Sequence, residues 1–278
     1  MIPFDFEYYK PCSYEEAIGA FMELEAAGKS PVYYGGGSEL ISMARLGNLS
    51  FGAVIDLKEI PECRVLGFDT DQLLLGSALT LSDIIESKIF PLMEKSAGRI
   101  ADHTMQCKIT LGGNIASTIL YRETVLPLLL CDSCLTIASP QGLYRLPFCQ
   151  VFHGRLQLQK GEFIVNVATS KSFLQMPYYH MKKTANEKID YPLLTIAGVK
   201  VGGALRIAFS GLKAYPFRDA RVEIILNDPA LDFAQRARKI GAVLSADILE
   251  DLRGSSAYRQ YVLQNTIENV LVTMKDIS

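Results

Sequence analysis

The sequence carries no excess of basic charge. Its 28 lysines and arginines stand against 30 aspartates and glutamates, a formal net charge of -2. That argues against a nucleic-acid partner, which needs a basic face. Long apolar runs are also missing. Stretches such as Leu126 to Leu130 are far too short to cross a bilayer, so no membrane partner is expected. The opening residues Met1-Ile2-Pro3-Phe4-Asp5 show no basic segment followed by an apolar one, and a cytoplasmic location is the default expectation. Histidine is scarce: His103, His153 and His180 do not cluster in sequence. Of six cysteines, only Cys131 and Cys134 have the spacing of a metal or redox pair. One such pair offers two ligands where a zinc or iron–sulfur site needs about four. Their neighbours Leu128 to Leu130, Leu135 and Ile137 are apolar, so two reduced core thiols and no metal site are expected. Four motifs are absent: Gly-x-Gly-x-x-Gly, a Walker loop, His-Glu-x-x-His and Gly-x-Ser-x-Gly. These absences disfavour a Rossmann oxidoreductase, a P-loop ATPase, a zinc protease and a serine hydrolase.

What is present is an ordinary globular composition, 49% apolar and 21% charged, in a chain long enough to build its own cores. The first third reads as α/β. Ser13 with Glu16 forms a capping box ahead of Ala17, Ile18, Phe21 and Leu24 at helical spacing, and Gly28 can end that helix. A short strand over 31–34 leads into Gly35-Gly36-Gly37-Ser38, then a helix over 39–45 and a buried strand over 53–57. In the middle third a strand over 72–75 and a helix start at Thr80 with Asp83 precede a second glycine-bearing segment, Thr110-Leu111-Gly112-Gly113-Asn114. An apolar helical run over 124–131 follows. Beyond about Phe173 the pattern changes. Strands over 193–201 and 205–209 meet at a Gly202-Gly203 hairpin, and two helices follow, the second from about Ser255. Sheet followed by helices points to a separate α+β domain.

The two glycine segments are the most informative features. Successive glycines leave N–H groups free to converge on an anion, and a helix opening at Ser38 would add its dipole. These residue types suit a diphosphate. The plain alternative is a tight strand-to-helix turn with no ligand.

Gly35-Gly36-Gly37-Ser38-Glu39-Leu40 resembles the Ala-Gly-Gly-Thr-Asp-Leu segment of flavoprotein subunits in the carbon monoxide dehydrogenase and xanthine dehydrogenase family. Thr110-Leu111-Gly112-Gly113-Asn114-Ile115-Ala116 resembles that family's Thr-Ile-Gly-Gly-Asn-Ile-Ala segment. The likeness extends over nearly the whole chain. It takes in Phe6-x-Tyr8-x-x-Pro11-x-Ser13-x-x-Glu16-Ala17, Ile55-Asp56-Leu57-x-x-Ile60-Pro61-Glu62 and Leu75-Gly76-Ser77-Ala78-x-Thr80-Leu81. It ends on Asp251-x-Arg253-Gly254-Ser255-x-Ala257-Tyr258-Arg259.

The resemblance implies an α+β chain. A two-subdomain, vanillyl-alcohol-oxidase-like FAD-binding domain would span 1–170, with subdomains of about 1–55 and 56–170. A C-terminal α+β domain of antiparallel sheet plus helices would follow over 171–278. The implied cofactor is FAD, its diphosphate wrapped by both glycine segments. By the same resemblance Glu123 stands where relatives have an aspartate on the flavin side. Lys182 matches a lysine at the flavin's pyrimidine end, Tyr191 a tyrosine near the ring, and Ile164 an apolar residue packed by it. A solvated charge, a core aromatic and strand packing are the plain readings of the last three.

The chain departs from the family pattern at Ser117 to Glu123, where a proline is missing and Tyr121 and Arg122 are bulky. It departs again at Lys183-Thr184-Ala185-Asn186, where arginines are missing, and at Ile100, where some relatives carry a phenylalanine. The implied function is electron transfer within a molybdenum hydroxylase complex. A molybdopterin subunit and a 2Fe-2S subunit would be the partners, and NAD or another carrier the acceptor. No catalytic acid–base residue is required. A stand-alone FAD oxidase and a scaffold that has lost FAD are the rival classes.

Overall fold

The computed structural model describes residues 2–185 and 189–275. The elements run in chain order as β1 (Glu7–Tyr9), α1 (Tyr14–Ala26), β2 (Pro31–Tyr34), α2 (Ser38–Arg45), β3 (Ala53–Asp56), β4 (Leu66–Asp69) and β5 (Gln72–Gly76). Short helices α3 (Leu81–Ser87), α4 (Pro91–Ala97), α5 (His103–Gln106), α6 (Leu111–Ala116) and α7 (Val125–Leu130) fill the middle. Then come β6 (Cys134–Ser139), β7 (Gly142–Pro147), α8 (Phe148–Val151), β8 (Phe163–Ser170), β9 (Tyr178–Thr184), β10 (Pro192–Val201), β11 (Ala204–Ser210) and β12 (Phe217–Arg218). The helices α9 (Ala220–Leu226), α10 (Phe233–Leu244) and α11 (Ser256–Lys275) close the chain, three where the sequence pattern predicts two. The additional boundary follows from Asp219 and Asp232, each of which caps a helix of its own.

The chain divides into two compact units. The first comprises 1–86, 103–117 and 132–171; the second comprises 87–102, 118–131 and 172–278. The first unit holds two sheets. One is a three-stranded parallel sheet in the order β1-β3-β2; the other is a five-stranded antiparallel sheet in the order β4-β5-β8-β6-β7. Every residue of β3 is buried, as expected for the centre of a parallel sheet covered on both faces. Ile55 faces a core with Ala17, Ile18, Phe21 and Leu24 of α1 and with Phe163 and Val165 of β8. Val54 faces the other way, against Ala44 and Phe51. The alternation is the period of two that a strand imposes. Helix α1 begins where Ser13 accepts a hydrogen bond from the Glu16 N–H at 3.2 Å. The Glu16 carboxylate reaches back to the Cys12 N–H at 2.8 Å, one residue earlier than in a standard capping box.

The second unit is built on an antiparallel sheet in the order β12-β11-β10-β9, with α9, α10 and α11 packed on it. Gly202 and Gly203 both take positive φ (56° and 84°), which the two-residue β10–β11 hairpin demands. Leu194, Ile196, Ile207 and Phe209 meet Leu263, Ile267 and Val270 in its core. Arg259 of α11 is fully buried. Its guanidinium donates to the carbonyls of Leu193 and Gly211 and to Asp251, so the Asp251-to-Arg259 signature ties α11 to the sheet. None of the six cysteines is in a disulfide; Cys131 is buried and Cys134 half-buried. No helix is long and apolar enough to cross a membrane among the described residues.

Candidate functional site

The first glycine segment joins β2 to α2. The chain must turn from extended to helical within three residues, and Gly37 does so at φ 71°, as the cap of α2. The loop is also pressed against other backbone. A Cβ on Gly36 would stand 1.6 Å from the Lys108 carbonyl oxygen, and one on Gly35 would stand 2.5 Å from Thr110 Oγ1. A Cβ on Gly37 would meet the Tyr34 ring at 2.3 Å. These three glycines are therefore dictated by packing whether or not a ligand approaches.

What the loop leaves unsatisfied is more telling. The N–H groups of Gly36, Gly37, Ser38 and Leu40 donate to no other group among the described residues; the first bond back into the loop is Ile41 N–H to the Gly37 carbonyl, 2.9 Å. Gly37 has no side chain with which to cap α2. The Ser38 hydroxyl is buried and has no hydrogen-bond partner. Unpaired donors at a helix start, with the dipole's positive end among them, form a receptor for an anion. The arrangement fits the diphosphate of FAD.

The second glycine segment differs. Its N–H groups are already engaged: Leu111 to the Leu79 carbonyl (2.9 Å), Gly112 to the Ser77 carbonyl (2.8 Å), Gly113 to Thr110 Oγ1 (3.2 Å) and Asn114 to the Thr110 carbonyl (2.8 Å). Thr110 is the N-cap of α6 and is buried. A Cβ on Gly112 would come within 2.7 Å of Ser77 Cβ. The structure brings Thr110 against Gly35, so the two segments lie together. Ile164, in the same unit, is buried on β8 and paired with Ile137, on the strand face opposite Phe163 and Val165.

In the second unit Glu123 and Lys182 are brought together. Lys182 Nζ lies 2.9 Å from Glu123 Oε1 and donates to the Arg99 carbonyl at 2.7 Å; both side chains are 3% exposed. Burial pushes the Glu123 carboxyl up, against the opposing pull of Lys182. His180 stands two residues before Lys182 on the same face of β9. Its Nε2 is buried without a partner. Burial, then the charges of Arg99, Lys182 and Lys95, hold its pKa down to about 4. Tyr191 is 46% exposed and stacks on Tyr121 with ring centroids 4.9 Å apart, while the Arg253 guanidinium sits 4.9 Å from the Tyr191 centroid. The bulky Tyr121 thus serves as the floor on which Tyr191 rests. Of the departing segment at 183–186, Asn186 lies outside the described residues. Motif reading does not single out Lys58 or Arg99, and names Arg253 only within the C-terminal signature. A buried carboxylate such as Asp56 on β3 is the one available signal, since it demands a cation nearby.

The family model described as "FAD binding domain in molybdopterin dehydrogenase" matches residues 4–169, and the chain belongs to that family. Its cofactor is therefore FAD and its class that of an oxidoreductase subunit, as the resemblance implies. The chain is 25% identical to the carbon monoxide dehydrogenase medium chain of Hydrogenophaga pseudoflava, covering 98% of this chain and 97% of that one. It is 24% identical to the xanthine dehydrogenase FAD-binding subunit of Escherichia coli O157:H7, covering 96% of each. Among solved structures, a carbon monoxide dehydrogenase from Hydrogenophaga pseudoflava superposes with a TM-score of 0.85 at 23% identity, over 97% of this chain and 96% of that chain. The fold is α+β, that of these medium chains.

Proposed function

We propose that this chain is the FAD-carrying electron-transfer subunit of a molybdenum hydroxylase complex. It would take electrons from a 2Fe-2S subunit, while a molybdopterin subunit oxidises the substrate. The observation that carries the reading is the set of unpaired N–H groups of Gly36, Gly37, Ser38 and Leu40 beside the unpartnered Ser38 hydroxyl. When bound, FAD exchanges electrons singly or in pairs, which suits a relay between unlike carriers.

In this reading the first glycine segment receives the diphosphate. The second, with its N–H groups committed, buttresses the first through Thr110. Glu123, Ile164, Lys182 and Tyr191 keep the flavin-side roles that the resemblance assigns them. An ammonium has three donors, and Lys182 spends one on the Arg99 carbonyl while it pairs with the Glu123 carboxylate by charge, so donor capacity remains for a cofactor oxygen.

The test is reconstitution. The purified chain should hold one FAD yet oxidise no purine, aldehyde or carbon monoxide. Substrate-dependent bleaching of the flavin should need both partner subunits. Bleaching by such a substrate with the chain alone would replace the relay with a stand-alone oxidase.

A further inference from the structure

Beneath the first glycine segment lies a charged cluster that neither glycine motif contains. Asp56, at the end of β3, is 1% exposed. Its carboxylate accepts from the Tyr8 hydroxyl, from the Lys58 N–H at 3.0 Å and from Lys58 Nζ at 2.7 Å. The same Nζ donates to the Gly35 carbonyl at 3.1 Å and sits 4.3 Å from the centroid of the Tyr34 ring. Asp56, the Gly35 carbonyl and the Tyr34 ring thus hold one ammonium from three sides, and Tyr8 holds Asp56 in turn, although the Lys58 side chain is 37% exposed. The hydrogen bond to Asp56, then burial, pushes the Tyr8 hydroxyl up to about 12, so it remains a donor at all physiological pH.

The peptide plane gives this clamp its consequence. In a trans peptide the C=O and the following N–H point in opposite directions. Fixing the Gly35 carbonyl on Lys58 therefore aims the Gly36 N–H away from Lys58, and that N–H is the first of the unpaired donors. The Tyr34 ring that bears the ammonium is also the group a Cβ on Gly37 would strike, so the clamp touches the loop at a second residue.

We propose that Lys58 is the positioning residue of the diphosphate loop: held by Asp56, which Tyr8 fixes in turn, it orients the Gly35–Gly36 peptide and places a positive charge beside the anion receptor. The proposal rests on the FAD reading given above. An ion pair serving only to neutralise Asp56 would need no bond to Gly35.

The experiment is titration of the full FAD-free chain with FAD, followed by flavin fluorescence, together with the melting temperature of each FAD-free variant. Lys58→Met should weaken FAD about tenfold, the size of one charge-assisted hydrogen bond. Lys58→Arg, which keeps the charge and a donor, should recover most of that loss. Tyr8→Phe, which loosens the clamp and leaves the ammonium, should weaken binding by a smaller factor and keeps the test open should Lys58→Met not fold. Wild-type affinity in Lys58→Met, wild-type affinity in Tyr8→Phe, or a loss that Lys58→Arg does not recover would each overturn the proposal. Failure of the wild-type chain itself to bind FAD would instead overturn the functional reading on which it rests.

Discussion

At the scale of single residues, two buried groups carry the sharpest consequences. Glu123 and Lys182 are an ion pair taken out of water, so removing one member strands the other. Glu123→Gln should cost about 3–5 kcal/mol in urea unfolding, whereas Glu123→Leu combined with Lys182→Met should cost less than either single change. Equal or larger loss in the double variant would mean the pair is a net source of stability. His180 acts through pH. Its folded pKa, about 4, lies below the 6.5 of an unperturbed histidine, so the unfolded chain takes up the proton first. Stability attributable to His180 is thus complete above pH 6.5 and is lost as pH falls toward 4, by at most about 3 kcal/mol. Arg99, Lys182 and Lys95 face the ring and oppose its protonation, while Glu123, raised by burial, shifts stability in the opposite sense over the acid range. The check is the difference between wild type and His180→Asn across that window. Parallel curves for the two proteins would remove His180 from the account.

Among the elements, the glycine segments show how far motif and mechanism can part. Both motifs are legible because backbone that must approach backbone admits only glycine, and that constraint leaves a mark on the sequence. Which segment has donors to spare is not legible. It depends on Leu79 and Ser77 reaching Leu111 and Gly112 from elsewhere in the chain, while Thr110 caps Gly113 locally. The same holds for the Lys58 clamp, in which the parallel β1–β3 pairing lets Tyr8 bond to Asp56, 48 residues away. Local signals fared well: the strand over 31–34, the capping pair Thr80 and Asp83, and the Gly202-Gly203 hairpin all lie where local turn and cap chemistry puts them. The extra helix near Phe233 was missed because two short amphipathic stretches separated by a brief turn read as one. A consequence follows for mutagenesis. Gly36→Ala should lower the melting temperature of the FAD-free chain, since its Cβ meets the rigid Lys108 carbonyl. Gly113→Ala should lower it less, because its nearest neighbour at 2.9 Å is the Thr110 hydroxyl, a side-chain atom. The reverse order in a thermal melt would contradict the packing argument. Loss of flavin in a Gly36 variant is accordingly no proof of ligand contact.

For the molecule as a whole, the two units carry separate cores, and the family relation covers both, since the relatives match nearly the full chain. The central claim is that the first glycine segment is built around an anion. Ser38→Asp tests it most directly. An aspartate at the start of α2 suits the helix dipole and should leave the FAD-free fold as stable as before or slightly more so. The same carboxylate would occupy the unpaired N–H groups and repel a diphosphate. The measurement is FAD affinity by fluorescence titration alongside the thermal melt of the FAD-free protein. The account predicts an unchanged or raised melting temperature with FAD binding weakened by about a hundredfold or more, the size of losing several charge-assisted hydrogen bonds. Undiminished FAD affinity in a folded Ser38→Asp chain would contradict it.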